Sequence, residues 1–225
     1  MKQKSKARKW AEDILWGVCI AMLARYFLVQ AFKIPSGSMK DTLLVGDLLF
    51  ANKFIYGLKV PYTNRYIVKF KEPARGDIVV FRYPLQRKDF VKRCIATEGD
   101  IVEIKNKQVY VNGEPIEESY KKHIDRRILP GLNPHSDFQG NWEMRRFLRN
   151  PYMRDNFGPA KIPEGHILAL GDNRDNSSDS RFWGPLDKKL IKGKALIIYF
   201  SWDPQPPLYT IWKKIRWKRI GRLIR

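Results

Sequence analysis

Two serines flank a glycine in Pro35-Ser36-Gly37-Ser38, with Ile34 before them and Met39 after. Pro35 stiffens the chain on one side, and Gly37 lets a second chain come close. A hydroxyl presented this way could attack a peptide carbonyl, although the same residues also make an ordinary turn. Nucleophilic work needs an activating group, and three other clusters contain candidates. Arg75-Gly76-Asp77 is a tight turn feeding the apolar run Ile78 to Phe81. Asp89-Phe90-Val91-Lys92-Arg93-Cys94-Ile95 sets Lys92 among apolar strand residues, on the face opposite Val91 and Arg93. Gly171-Asp172-Asn173-Arg174-Asp175-Asn176-Ser177-Ser178-Asp179-Ser180-Arg181 is a polar loop directly after an apolar strand. Each has a plain alternative: Lys92 as a solvated strand lysine, Ser177 as a loop cap, Asp179 and Arg181 as a structural ion pair.

A lysine base must be neutral, yet with a pKa near 10.4 only about 0.04% is neutral at pH 7. Burial has to lower that pKa, and Phe90, Val91 and Ile95 could supply the dry setting. No carboxylate should pair closely with the amine, because that would raise the pKa again. His123, His135 and His166 stand outside these clusters and have no partners at metal-ligand spacing. They read as solvated histidines, with no metal site and no cofactor implied.

The elements around these clusters read as an anchor followed by a β body. The chain has 225 residues and a net charge of +20, which raises nucleic acid as a partner. The distribution argues for membrane instead. Residues 1–13 carry Lys2, Lys4, Lys6, Arg8 and Lys9 against Glu12 and Asp13, a net +3, and residues 211–225 carry +7. The first of these ends abuts Ile14–Phe32, nineteen predominantly apolar residues interrupted by Arg25 and Gln30. The reading places Trp10–Ala24 across a bilayer, Arg25 snorkelling at the far surface, and Tyr26–Phe32 dipping along the outer leaflet. Basic residues before the span keep the N-terminus cytoplasmic. Glu12, Asp13 and the lack of a clean A-x-A site argue against a cleaved signal peptide. Cys19 lies in the apolar run and is no natural disulfide partner for Cys94.

From Leu43 onward the periodicity is that of short strands: Asp47–Phe54, Asp77–Tyr83, Asp89–Ile95, Ile101–Ile104, Val109–Val111, His166–Leu170 and Ala195–Ser201. Asn112-Gly113 centres a hairpin over Gln108–Ile116. Residues 117–163, punctuated by Pro130, Pro134, Pro151 and Pro159, read as an insertion or flap. The C-terminal segment has Leu208, Ile211, Trp212 and Ile215 on one helical face, then Ile215-Arg216-Trp217-Lys218 alternating like a strand, and stays open between the two.

Taken together, the anchor, Pro-Ser-Gly-Ser-Met, the Arg-Gly-Asp strand, the Lys-Arg strand and Gly-Asp-Asn-Arg-Asp-Asn-Ser resemble the type I signal peptidases, membrane-anchored Ser/Lys proteases. The likeness extends to Arg219-Ile220-Gly221 near the end. It implies a mainly β, largely antiparallel catalytic body carried on an N-terminal transmembrane helix. The division would be 1–32 as basic tail and anchor and 33–225 as the exported catalytic domain. Ser38 would be the nucleophile and Lys92 the general base. Ser36, with the Ser38 backbone N–H, would form the oxyanion hole, Ser177 would orient the Lys92 amine, and Asp179 with Arg181 would brace the loop. Ile34, Pro35, Ser36, Met39, Leu43, Phe90 and Val91 would line the pocket for the residue before the scissile bond, and Phe32 and Val80 the pocket two residues further back.

The resemblance implies removal of signal peptides from exported preproteins after A-x-A, the peptide bound as an added strand. The enzyme would be a monomer in the bacterial inner membrane, single-pass, with its catalytic domain on the periplasmic side. Members of the endoplasmic-reticulum type carry His in place of Lys92, which points to a bacterial or organellar source. Two other functions stay open at this level: a Ser/Lys peptidase with another substrate, as in conjugation systems, and a non-enzymatic basic membrane-associated nucleic-acid binder.

Overall fold

A computed structural model describes residues 6–27, 29–59, 66–131, 137–205, 207 and 211–225. Expectations resting on Lys2, Lys4, Pro134, His135 and Leu208, and on the side chains of Cys19 and Arg25, lie outside the described residues.

The apolar N-terminal run forms helix α1, Lys6–Phe27. Its ends carry charge, with Glu12 and Asp13 in the N-terminal half and Arg25 near the end. No helix among the described residues is long and apolar enough to cross a membrane. Strand β1 (Val29–Lys33) follows at once and pairs antiparallel with β2 (Asp47–Asn52), Phe32 opposite Leu49. The expected dip of residues 29–32 along a leaflet is therefore corrected. Phe32 and Ile34 alternate inward to the core, so this stretch satisfies its backbone in a sheet rather than beside lipid.

A short hairpin comes next, β3 (Gly57–Lys59) with β4 (Tyr66–Lys69). Then follow β5 (Ile78–Arg82), β6 (Asp89–Thr97), β7 (Ile101–Lys105), β8 (Gln108–Val111) and β9 (Glu114–Pro115). The β8–β9 turn has Asn112 at φ 54° and Gly113 at φ 85°, the left-handed pair that Asn-Gly adopts readily in a two-residue hairpin. Helix α2 (Phe138–Glu143), β10 (Phe157–Lys161), β11 (His166–Leu170), α3 (Ser180–Trp183), β12 (Leu186–Asp187), β13 (Ile191–Ser201) and α4 (Ile211–Lys214) complete the order. One antiparallel sheet runs β1-β2-β13-β5-β6-β11-β12, and a second runs β10-β7-β8-β9. The body is thus mainly β, with three helices of four to six residues beyond α1 among the described residues.

Residues 117–163, expected as an insertion or flap, pack into this body. Trp142, Phe147, Met153 and Phe157 lie buried with Val102, Val109 and Leu168 in one core cluster. β10 pairs with β7, a strand absent from the expectation because Phe-Gly-Pro-Ala-Lys carries no alternating β-branched signal. The C-terminal segment is also structural. After α4, Ile215 bridges to Trp202 and Leu223 to Ile197, and Ile224 is buried with Phe32, Ile34 and Met39. Arg219 makes a buried fork to Asp47, at 2.6 and 3.1 Å, and Ser201 Oγ donates to the same carboxylate at 2.6 Å.

Candidate active site

Strand β6 lies between β5 and β11, and its residues from Lys92 to Ala96 are buried. Lys92 stands opposite Val79 in the register, a position that a lysine occupies only with its amine directed at a polar partner. That partner is Ser38. Lys92 Nζ donates to Ser38 Oγ at 2.6 Å. Ser38 sits in a 3₁₀ turn, Gly37–Met39, held from both ends. Ile34 N–H donates to Asp47 O at 2.9 Å on the strand side, and Leu43 N–H donates to Met39 O at 2.7 Å on the other. Met39 is buried beneath the turn and accepts a bond from Asp172 N–H on its sulfur at 3.4 Å.

Burial lowers the Lys92 pKa to about 8, with Asp179 and Asp172 opposing the shift and Arg181 adding to it. At that value about a tenth of the amine is neutral at pH 7. Neither carboxylate is hydrogen-bonded to the amine among the described contacts. Asp172 is engaged by Arg93, at 2.9 and 2.8 Å, and Asp179 by Arg181, at 2.8 Å twice. Burial opposes ionisation of Asp179, yet the Arg181 guanidinium and then Lys92 hold its carboxyl below the usual range. Asp179 also accepts the Gly171 N–H at 3.1 Å, and Arg181 donates to Arg174 O at 2.7 Å, so the pair ties both ends of the loop that follows β11.

The other expected residues divide by position. Phe32, Ile34, Pro35, Ser36, Ser38, Met39, Phe90, Val91 and Lys92 line one groove of about 280 Å³. Leu43 and Val80 do not line it; they lie behind it, fully buried with Phe32, Ile34 and Met39. Ser36 Oγ is 3.4 Å from Ser38 Oγ at the exposed lip. Ser177 is the departure. Its hydroxyl is buried with no hydrogen-bond partner among the described residues, and the expected bond to Lys92 is not made. It is nonetheless pressed against the site: a Cβ on Gly171 would meet Ser177 Oγ at 2.2 Å and Ser38 O at 2.6 Å, so only glycine fits between them.

His123, expected to be solvated, is instead half-buried, with Nδ1 3.1 Å from Asp175 Oδ1, and burial lowers its pKa despite that carboxylate. No cluster of metal-ligating side chains occurs among the described residues.

Several site residues were not singled out from the sequence. Lys33, Asp89, Asn176 and Ser178 also line the groove. Asn173 donates to Gly37 O from Nδ2 at 3.0 Å and to Ser38 O from its backbone at 3.1 Å. Its place within the Gly-Asp-Asn-Arg-Asp-Asn-Ser loop was the available signal. Glu118, which takes both ends of the buried Arg174 guanidinium, gave none, because it sits in a stretch without strand or turn signals.

The arrangement can pass a proton from a hydroxyl to a buried amine beside an open groove. The family described as "Signal peptidase, peptidase S26" matches residues 7–202. The chain belongs to the S26 signal peptidase family. Among its relatives in that family, the signal peptidase I of Pseudomonas fluorescens is 37% identical over 204 residues, 84% of this chain and 70% of the relative. That of Pseudomonas aeruginosa is 37% identical over 207 residues, covering 85% and 72%. The Aquifex aeolicus signal peptidase I is 33% identical over 228 residues, covering 86% and 84%. The S26 match spans all four of the motif clusters.

Proposed function

We propose that this chain is a membrane-bound serine endopeptidase that removes N-terminal signal peptides from exported preproteins, with Ser38 as nucleophile and Lys92 as general base. The observation that carries the reading is the 2.6 Å contact between a fully buried lysine amine and a serine hydroxyl that lines an open groove. Neutral Lys92 takes the proton as Ser38 Oγ bonds to the scissile carbonyl carbon. The carbonyl oxygen becomes an oxyanion held by the Ser38 backbone N–H and the Ser36 hydroxyl. Collapse breaks the C–N bond, Lys92 returns the proton to the departing amine, and an acyl-Ser38 ester remains. Water, deprotonated by Lys92, then attacks that ester; the C–O bond to Ser38 breaks, Ser38 Oγ takes the proton back from Lys92, and the signal peptide leaves with a C-terminal carboxyl group. Ser177 turns its unpartnered hydroxyl to the Lys92 amine, which relieves the cost of burying it unbonded.

Specificity follows from the groove walls. Ile34, Pro35, Met39, Phe90 and Val91, backed by Leu43, leave shallow space that admits small side chains and rejects bulky ones by clash. A-x-A precursors fit that restriction. The helix α1 carries the enzyme to the membrane. Trp10, Ile14, Leu15, Trp16, Val18 and Ile20 are exposed around its whole circumference, a distribution suited to lipid rather than to one packed face. The charged Glu12 and Asp13 then sit at the cytoplasmic head groups, and the β body works as a monomer on the outer side of the bacterial inner membrane.

The test is cleavage of a precursor with an A-x-A site by the full chain in detergent, beside Ser38→Ala and Lys92→Met. Both variants should fall by about a thousandfold or more. A Ser38→Ala protein that cleaves at the normal rate sinks the reading.

A further inference from the structure

Asn173 touches neither groove nor amine, yet it grips the peptide group on which the oxyanion depends. We propose that Asn173 is a positioning residue for the oxyanion hole, acting through the Gly37–Ser38 peptide. This rests on the reading of Ser38 as nucleophile. A trans peptide is planar, with its C=O and N–H pointing in opposite directions. The carbonyl of this peptide is Gly37 O, and its N–H is that of Ser38. Asn173 Nδ2 donates to Gly37 O at 3.0 Å, alongside Lys40 N–H at 3.1 Å, and so fixes the direction in which the Ser38 N–H points on the far side. A donor on the carbonyl also polarises the amide and strengthens its N–H toward a developing negative charge. The Asn173 backbone N–H then holds the next carbonyl, Ser38 O, at 3.1 Å, leaving the nucleophile's main chain little freedom to rotate.

Asn173 can act as a rigid clamp because its own backbone is pinned from the opposite side. Residues 118–125 run along the loop. Lys122 N–H donates to Asp172 O at 2.8 Å and Arg174 N–H donates to Lys122 O at 2.9 Å, so Asn173 lies bracketed between them. Three side-chain ties close the bracket. Glu118 forks onto buried Arg174, Asp175 accepts the Ile124 and Asp125 N–H groups, and Lys122 Nζ reaches Asp41 Oδ2 at 2.6 Å, next to the nucleophile turn. Residue 173 itself is only 1% exposed.

The experiment compares Asn173→Ser and Asn173→Asp with the unaltered full chain in detergent. Asn173→Ser keeps both backbone bonds and removes the Nδ2 donor; Asn173→Asp keeps the volume and sets a carboxylate against Gly37 O. Measured are kcat and KM on an A-x-A precursor, thermal melting, and inhibition by a peptide aldehyde ending in alanine. The aldehyde carbon accepts Ser38 Oγ while the hydroxyl proton passes to Lys92, and the adduct places an oxyanion in the hole. Both variants should lose about tenfold to a hundredfold in kcat, with KM within about twofold and aldehyde affinity falling in step with kcat. Normal kcat in both variants overturns the proposal. So does a loss in which aldehyde affinity tracks KM or melting temperature instead, the pattern of a merely structural residue. Activity surviving in Ser38→Ala would sink this proposal and the function together. An inactive Ser38→Ala beside fully active Asn173 variants sinks this one alone.

Discussion

Lys92 Nζ and Ser38 Oγ come from positions 54 residues apart and meet at 2.6 Å, with each nearby carboxylate already held by an arginine. The lysine is therefore buried beside negative charge without being paired to it. Its desolvation wins, and its pKa falls to about 8. Three predictions rest on that balance and the pairs that maintain it, and a fourth on the docking of the C-terminal segment.

Cleavage should rise with pH through an apparent pKa of about 8 in kcat/KM, the value set by Lys92 in the free enzyme. Lys92→Arg, which stays protonated at every working pH, should be inactive throughout. A profile governed by a group near 6.5 would contradict the lysine scheme.

The same burial has a stability cost with a defined sign. Between about pH 8 and the ordinary lysine pKa of 10.5 the unfolded chain binds the proton that the folded chain has lost, so stability rises with pH across that window. Below it, the folded protein holds a charged buried amine at a penalty of about 3 kcal/mol. Lys92→Met should accordingly melt higher than the unaltered protein near neutrality, and the advantage should fade as pH climbs toward the upper end. Melting curves at several pH values decide it; an advantage independent of pH would rule out this account.

Asp179→Ala leaves the buried Arg181 guanidinium without its fork and should cost about 3–5 kcal/mol in chemical denaturation. Because the Asp179 pKa is lowered in the fold, its contribution is present above the usual carboxylate pKa of about 3.9 and lost as pH falls through the lower folded value. The gap between unaltered and variant protein should narrow in strong acid.

Arg219 separates the structural from the superficial part of the basic C-terminal segment. Arg219→Ala breaks the buried fork to Asp47 and should destabilise by about 3–5 kcal/mol. The exposed Lys218, changed to Ala, should move stability by less than about 0.5 kcal/mol. Equal, small effects of the two would show that the segment is not docked.

Much of the site was legible before any folding was known. Pro-Ser-Gly-Ser, the Lys-Arg strand and the long polar loop are contiguous runs whose residue types are the chemistry, and the Asn112-Gly113 hairpin is a local backbone preference. Strand β1 was not legible, since Val-Gln-Ala-Phe-Lys continues an apolar run and becomes a strand only because β2 offers its edge. Nor was the role of residues 117–163, where Glu118 and Trp142 are core residues embedded in polar sequence.

By itself, then, the order of amino acids determined which groups could react, the mainly β periodicity and the family. The tertiary structure alone decided that Lys92 is dry and Ser38 within its reach, that Arg93 and Arg181 take up the carboxylates, and that Asn173 holds the Gly37 and Ser38 carbonyls. The physical reason is range. Turn chemistry and strand alternation act between near neighbours, whereas desolvation and charge balance depend on which distant strands the sheet sets side by side.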